Sequence, residues 1–438
     1  AGTLDSGALG GAPGTVGFAY GVTTVGDIAY VADEARGLAI VDVSNPDAPV
    51  RLGGLDTAGS ARAVAVAGHL AYVADYSAGL AIIDVTDPAA PVLLGTYDTA
   101  GYAYGVTVVG DVAYVADYSA GLVVIDVSDP SSPIRLGVYN TAGFAYDVAV
   151  AGHLAYVADG SKGLAVIDVS TPLAPQLVGT LDTPGSAMGV AVSGSIVLVA
   201  DYAAGVQVID VSNPAAPVRV GTYDTAGAAY DVALAGPLAL VADYGAGLAV
   251  LDVSNPASPQ LLASADKPGA AHGVAVAGTR AYVADETGGL TIINVFAEIA
   301  GVTQTGASTY TIDLGGALPD GEYHVFVGPD ATDLAGNAMD QDSDGTPGEL
   351  TDAYGFSFTA TSGGGSAASE SAVLPGDANG DGKVDSADYI ALKRAMGKPV
   401  SAAGTGADFD GSGVVDAGDL AVLMANMGRS VNDQPQTA

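Results

Sequence analysis

The sequence predicts a mainly β chain in which seven four-stranded units close into a ring, and three observations predict it. The pair Ala-Asp recurs at Asp33, Asp75, Asp117, Asp159, Asp201, Asp243 and Asp285, a spacing of 42 residues that never slips. An apolar run in phase with it ends at Asp42, Asp84, Asp126, Asp168, Asp210 and Asp252, with Asn294 in the seventh copy. Each copy is long enough for four short strands, and a length held without drift favours closure over an open stack. Repeats of roughly 40–45 residues with strand patterning are the signature of β-propeller blades.

Within a copy the strands follow from composition. In the third, Tyr104–Val109, Val112–Ala116, Leu122–Val127 and Ile134–Tyr139 are short runs rich in Val, Ile and Tyr. Gly110, Ser119–Gly121 and Pro130–Pro133 separate them, and Gly or Pro interrupts every attempt at a helical period. Four antiparallel strands are expected, the first nearest the axis and the fourth at the rim.

The repeated Asp residues admit two readings. Asp117 ends the second strand with Gly121 four residues on, so its carboxylate can cap the backbone N–H groups of that turn while Gly takes a positive φ. A ring of seven carboxylates could instead hold a cation. The structural cap is the simpler reading.

Closure of the ring can also be read. The seventh copy ends at Asn294-Val295-Phe296 with neither the Pro-x-x-Pro turn nor a fourth strand. Ala8-Leu9-Gly10-Gly11 before Gly17-Phe18-Ala19-Tyr20 falls in register with Val92-Leu93-Leu94-Gly95 before Gly101-Tyr102-Ala103-Tyr104. A strand from residues near 5–12 is therefore expected to complete blade seven and cover its edge.

The run Gly121-Leu122-Val123-Val124-Ile125-Asp126-Val127-Ser128-Asp129-Pro130 resembles the LVIVD repeat of bacterial and archaeal surface proteins. The resemblance covers residues 1–296 and implies a propeller. It implies little about activity, because a propeller is a scaffold whose function lives in its loops.

Bulk composition narrows the function classes. The 438 residues contain no Cys, which excludes disulfides, a thiol nucleophile and a thiolate metal site. Thirteen Lys and Arg stand against 49 Asp and Glu, a formal charge of −36, which argues against nucleic acid as a partner. Apolar residues come in short runs broken by Asp, Gly or Pro, and no 18-residue apolar stretch suggests a membrane span. A start at Ala1 rather than Met is expected if a leader has been removed, and the acidity suits a secreted, extracellular or cell-surface protein in a calcium-bearing medium.

Residues 297–361 break the period and carry no Lys or Arg. Tyr310–Leu314, Tyr323–Val327 and Tyr354–Phe358 read as strands, and Asp333-Leu334-Ala335-Gly336-Asn337-Ala338 resembles a bacterial Ig-like domain, here shorter than a full sandwich. Asp340, Asp342 and Asp344 place carboxylates at alternate positions before Gly345, a spacing that wraps oxygens around calcium, with Glu349 or Asp352 as a later ligand. A solvated acidic loop is the plainer alternative.

Residues 362–375 read as a Gly, Ser and Ala linker. Beyond it, Asp377, Asn379, Asp381, Lys383 through its carbonyl, Asp385 and Asp388 occupy positions 1, 3, 5, 7, 9 and 12 of a calcium loop, with Gly382 at position 6. Asp408, Asp410, Ser412, Val414 through its carbonyl, Asp416 and Asp419 repeat the arrangement around Gly413. Each loop leads into an apolar face of helical period, Tyr389, Leu392 and Met396 in one and Leu420, Leu423, Met424 and Met427 in the other.

This small α unit, residues 376–429 before a polar tail at 430–438, resembles a type I dockerin. The resemblance implies a calcium-folded plug that binds a cohesin-like module. Ser386, Ala387, Lys393 and Arg394 match the positions that read the partner, and they differ from the usual Ser-Thr pair. Copies of this same chain, giving a homo-oligomer, polymer or filament, are the other partner expected for the tail.

One face of the ring gathers the connections from strand four to strand one and from strand two to strand three. Tyr20, Arg62, Tyr104, Tyr146, Met188, Tyr230 and His272 precede strand one there, and Glu34, Tyr76, Tyr118, Gly160, Tyr202, Tyr244 and Glu286 follow the repeated Asp. Tyr offers flat apolar area with a polar tip, so this face suits a glycan or a protein, whereas packing between blades is the plain alternative. The four His residues show no metal-ligand or nucleophile spacing. A non-catalytic structural or interaction protein is therefore expected, ahead of a glycan- or protein-binding adhesin and of a carboxylate-pair hydrolase.

Overall fold

A computed structural model describes residues 18–266 and 269–295, together with the backbone of the strands Thr3–Leu4, Gly301–Gln304, Tyr310–Asp313, Gly321–Val327 and Tyr354–Ala360. Blade three shows how a copy folds. Gly105–Val109, Val112–Ala116, Leu122–Asp126 and Ile134–Tyr139 form one antiparallel sheet in chain order. The first hairpin turns at Gly110, whose φ of 59° a side chain would strain. The outer strand has one residue more than its partner, and the register slips between Val124 and Ile125. That extra residue is a β-bulge, which bends the rim strand. Blades one to six share this order, and no helix occurs among the described residues.

The central strands are apolar without alternation because both of their faces are buried. Val124 packs with Val148, Val157 and Ile167 of blade four, whereas its neighbours Val123 and Ile125 pack with Tyr72 and Ile82 of blade two. The core is thus a set of layers between blades. It is built from Ala, Val, Ile and Leu, which explains a mean hydropathy of +0.38 in a chain with no membrane-length apolar helix among its described residues.

The first strands stand side by side around the axis, and that of blade seven, Gly273–Ala277, packs against that of blade one, Gly21–Val25. Tyr282, Leu290 and Ile292 share a core layer with Val31 and Val41, so the ring is closed. Thr3–Leu4 pairs antiparallel with Leu290 and Thr291 and so forms the outermost strand of blade seven. The sequence places the closing strand near residues 5–12; the pairing described here uses residues 3 and 4, and residues 5–17 lie outside the described residues.

Beyond the ring, Gly301–Gln304 pairs with Tyr310–Asp313, and Gly321–Val327 forms a second two-stranded sheet with Tyr354–Ala360. The three strands expected in this segment are present.

The candidate ligand face of the ring

The repeated Asp builds this face, by a route the sequence reading did not foresee. Asp117 Oδ1 accepts from Thr99 Oγ1 at 2.6 Å and Oδ2 accepts from the Gly101 N–H at 2.8 Å. Thr99 and Gly101 belong to the loop by which the chain arrives from blade two. The carboxylate therefore clamps the entry to its own blade and does not cap the turn that follows it. That turn closes on its own backbone, with the Asp117 N–H donating to the Gly121 carbonyl at 2.8 Å and Gly121 at φ 78°. The same clamp recurs at Asp75, Asp159, Asp201 and Asp243. Each carboxylate serves its own loop, and no group of three or more acidic, His or Cys side chains among the described residues is placed to hold a metal. Burial outweighs these hydrogen bonds and pushes all five carboxyls up.

The second repeated Asp behaves differently. Asp126 Oδ1 accepts from the Ser128 N–H at 2.9 Å, and hydrogen bonding to Ser128 holds this carboxyl below its ordinary range. It is a local turn cap.

The residue after each of the seven repeated Asp residues adopts a left-handed backbone. Glu34, Tyr76, Tyr118, Tyr202, Tyr244 and Glu286 have φ between 36° and 50°, and only Gly160 meets that conformation without a side chain. A residue with a Cβ pays roughly 1–2 kcal/mol there. Each forms a β-bridge to the next blade: Tyr118 to Ala145, Tyr202 to Ala229, and so on around to Glu286 with Ala19. The Tyr118 N–H donates to the Ala145 carbonyl at 2.9 Å and receives the reciprocal bond at 3.0 Å. These bridges bring the two connection types onto one face, as the sequence predicts.

The residues before strand one form a collar there. Tyr104 and Tyr146 meet edge to face at 5.1 Å, and Tyr20 and Tyr230 both pack on His272, at 4.7 Å and 4.3 Å. The Arg62 guanidinium lies 4.1 Å over Tyr20 and 5.9 Å from Tyr104, with Glu34 at 4.0 Å. Burial, then neighbouring Tyr groups, push the Tyr104 and Tyr230 hydroxyls up to about 12, so both stay protonated donors at neutral pH. His272 Nε2 is 2.7 Å from Glu286 Oε1; burial pulls the imidazole below its usual value and the carboxylate partly restores it.

The collar supports a second tier. Tyr102 stacks on Tyr76 at 4.3 Å and 7°, and Phe144 stacks on Tyr118 at 4.2 Å and 4°. Tyr104 and Tyr146 brace these pairs edge-on. The collar rings pack blade against blade, and Tyr102 and Phe144 of the outer tier face solvent.

Two axial residues escaped the sequence reading. Strand one begins with Gly in blades one, three, five and seven, but with Asp147 in blade four and Asp231 in blade six. Asp147 Oδ2 accepts from the Val190 N–H at 3.0 Å and Asp231 Oδ2 from the Val274 N–H at 2.9 Å, each in the next blade. Burial pushes both carboxyls up, and the nearby charge of Asp147 adds to the effect on Asp231, which reaches about 7. The only signal for them was an Asp where the other copies carry Gly or, in blade two, Ala63.

The expected calcium ligands Asp340, Asp342, Asp344 and Glu349, the two tail loops from Asp377 to Asp388 and from Asp408 to Asp419, and the partner positions Ser386, Ala387, Lys393 and Arg394 lie outside the described residues.

The LVIVD repeat family matches residues 16–57, 58–99, 100–141, 142–183, 184–225, 226–267 and 268–295, and the type I dockerin domain matches residues 375–428. No curated protein matches the chain. Among solved structures, a chain of the mitotic checkpoint complex is 12% identical with a TM-score of 0.56, covering 67% of this chain and 91% of that one. The β-propeller domain of Cps50 (Swd1) from Myceliophteria thermophila is 13% identical with a TM-score of 0.54, covering 64% and 98%. The computationally designed Ika8 protein is 9% identical with a TM-score of 0.51, covering 67% and 99%. At these identities the likeness shows the fold alone.

Proposed function

Because this chain belongs to the LVIVD repeat family and ends in a match to the type I dockerin domain, we propose that it is a non-catalytic extracellular interaction protein whose propeller is carried on a calcium-dependent docking tail. The dockerin match is the observation that carries the reading, since such domains bind calcium and cohesin partners and occur in extracellular or cell-surface proteins.

The donor set of the tail fits the metal. Asp377, Asn379, Asp381, the Lys383 carbonyl, Asp385 and Asp388 offer only oxygen, as do Asp408, Asp410, Ser412, the Val414 carbonyl, Asp416 and Asp419, and a hard cation of calcium's size takes 6–8 oxygens. Asp340, Asp342, Asp344 and Glu349 supply a further acidic loop in the segment that resembles an Ig-like domain.

Ser386, Ala387, Lys393 and Arg394 are the residues that meet the tail's partner. Two of the chain's 13 basic residues stand in that patch, in a chain with a net charge of −36. They complement the acidity of another copy, which favours self-assembly through unlike surfaces; such contacts give filaments when the rotation does not close. The propeller then presents its tyrosine face, around Tyr20, Tyr104, Tyr146 and Tyr230, to an outside ligand.

Sedimentation of the full chain in millimolar calcium and in chelator tests this. Concentration-dependent growth in calcium, lost in Lys393→Glu/Arg394→Glu, is expected. A monomer at all concentrations that binds an added cohesin module would give the tail a foreign partner instead. A monomer that neither grows nor binds would remove the docking function.

A further inference from the structure

The seven junctions on the tyrosine face repeat one backbone arrangement but differ in what it carries. In each, the residue after the repeated Asp bridges an Ala of the next blade. At Tyr76 the overlying residue is Tyr102 and at Tyr118 it is Phe144, and both pairs are parallel stacks. At Tyr202 and Tyr244 the residues at the same place in the chain are Ala228 and Ala270, although the bridges to Ala229 and Ala271 are the same.

The difference shows in exposure. Tyr202 and Tyr244 are 41% and 38% exposed, and Tyr76 and Tyr118 are only half-buried beneath rings that take the solvent themselves, Tyr102 at 41% and Phe144 at 45%. Ala228 is half-buried and Ala270 is buried, so neither takes the solvent as Tyr102 and Phe144 do, and a Cβ added at Gly245, beside Tyr244, would meet nothing within 4 Å. Both open rings are held from beneath by Tyr230, which lies 5.4 Å from Tyr202 edge-on and 5.2 Å from Tyr244. They are ring platforms on backbone at φ 50° and 41°, and strain of this kind clusters at ligand sites.

We propose that Tyr202 and Tyr244 form a pair of open stacking slots that take aromatic side chains from a neutral or basic peptide segment of a partner protein. The proposal rests on the reading of this face as the propeller's ligand surface and names what it binds. The occupant is drawn from the chain itself, because at two equivalent junctions the same place is filled by a Tyr and a Phe ring. Aromatic pairs contribute beyond their buried area, and Tyr is a preferred anchor at protein interfaces. Charge sets the flanking chemistry: Asp182 and Asp224 are exposed on loops that enter blades five and six, in a strongly acidic chain. A sugar is the weaker fit, because Ala228 and Ala270, which stand where the equivalent junctions carry rings, offer no polar side chain, whereas glycan recognition needs convergent polar groups to fix hydroxyls.

The test selects a phage-displayed library of random dodecapeptides on the full chain, with immobilised cellohexaose and chitohexaose as parallel probes. Enrichment of Tyr, Phe or Trp beside Lys or Arg is expected. Ala228→Phe, which supplies the missing ring in cis, should weaken the selected peptides at least tenfold, and so should Tyr202→Gly together with Tyr244→Gly. Gly160 already occupies that position at φ 55°, so the glycine variant keeps the backbone. Conversely, Phe144→Ala should open a third slot and strengthen binding. Peptides without aromatic enrichment, or bound equally by the Ala228→Phe chain, would overturn the proposal. A hexasaccharide that binds and is blocked by Ala228→Phe would overturn it too, while leaving the face as a ligand surface. No binding of any probe would remove both.

Discussion

Asp117 and Thr99 stand 18 residues apart and belong to different connections, yet the Thr99 hydroxyl donates to the Asp117 carboxylate at 2.6 Å in the interior. This bond, with the one from Gly101, fixes where each blade begins relative to the one before it. Removing the carboxylate leaves a hydroxyl and an N–H unpaired, at roughly 1–3 kcal/mol for each. Asp117→Ala should therefore destabilise the ring by about 2–4 kcal/mol, and Thr99→Val by about 1 kcal/mol. Denaturant midpoints of the single and double variants check this, and full additivity of the two would mean that the bond carries no coupling.

The axial pair makes stability depend on pH. Burial and Asp147 raise the folded Asp231 carboxyl from 3.8 to about 7. Below pH 3.8 it is protonated in both states and costs nothing. As pH rises towards 7 the unfolded chain releases the proton more readily, so stability falls across that window and levels above it. Asp231→Gly copies the residue at Gly189 and Gly273 and removes this dependence. Relative to the parent, the variant should gain on the order of 2 kcal/mol between pH 4 and pH 8, an allowance that discounts for a carboxyl only partly buried. Melting curves at both pH values check the sign, and a gap that shrinks as pH rises would refute it.

The strands and their order were legible because a 42-residue period leaves little freedom. Val112–Ala116 and Ile134–Tyr139 are read from the sequence at their observed bounds. The target of Asp117 was not legible, because a local reading looks a few residues ahead and the clamp reaches back 18. The signal lay in Thr99 and Gly101, which recur in phase with it as Thr141 and Gly143, then Thr183 and Gly185. The left-handed Tyr76 and Tyr118 ran against propensity, since a bulky side chain at positive φ is disfavoured. Gly160, alone at that position in copy four, was the one hint.

The pairing of Thr3–Leu4 on Leu290 and Thr291 covers an edge that would otherwise template association. Deleting residues 1–12 should lower the melting temperature by several degrees and raise turbidity on heating, since backbone pairing and edge protection are lost together. An unchanged melting curve would assign the closing role to the segment after Phe296.

Calcium should order the tail and leave the propeller indifferent. The two loops bring ten carboxylate, amide or hydroxyl donors, most of them charged, into two short segments, and without metal those charges repel. Because a preformed site rarely exists in an unfolded chain, the free energy of metal binding becomes free energy of folding. The clamping carboxylates of the ring are occupied by Thr and Gly donors instead, so the ring gains nothing from the ion. Limited proteolysis of the full chain should therefore cut beyond residue 375 in chelator and spare that region in millimolar calcium, with the propeller protected in both. Asp377→Ala/Asp408→Ala should remain cleavable in calcium. Equal cleavage of the parent tail in both conditions would show that the loops do not fold on the metal.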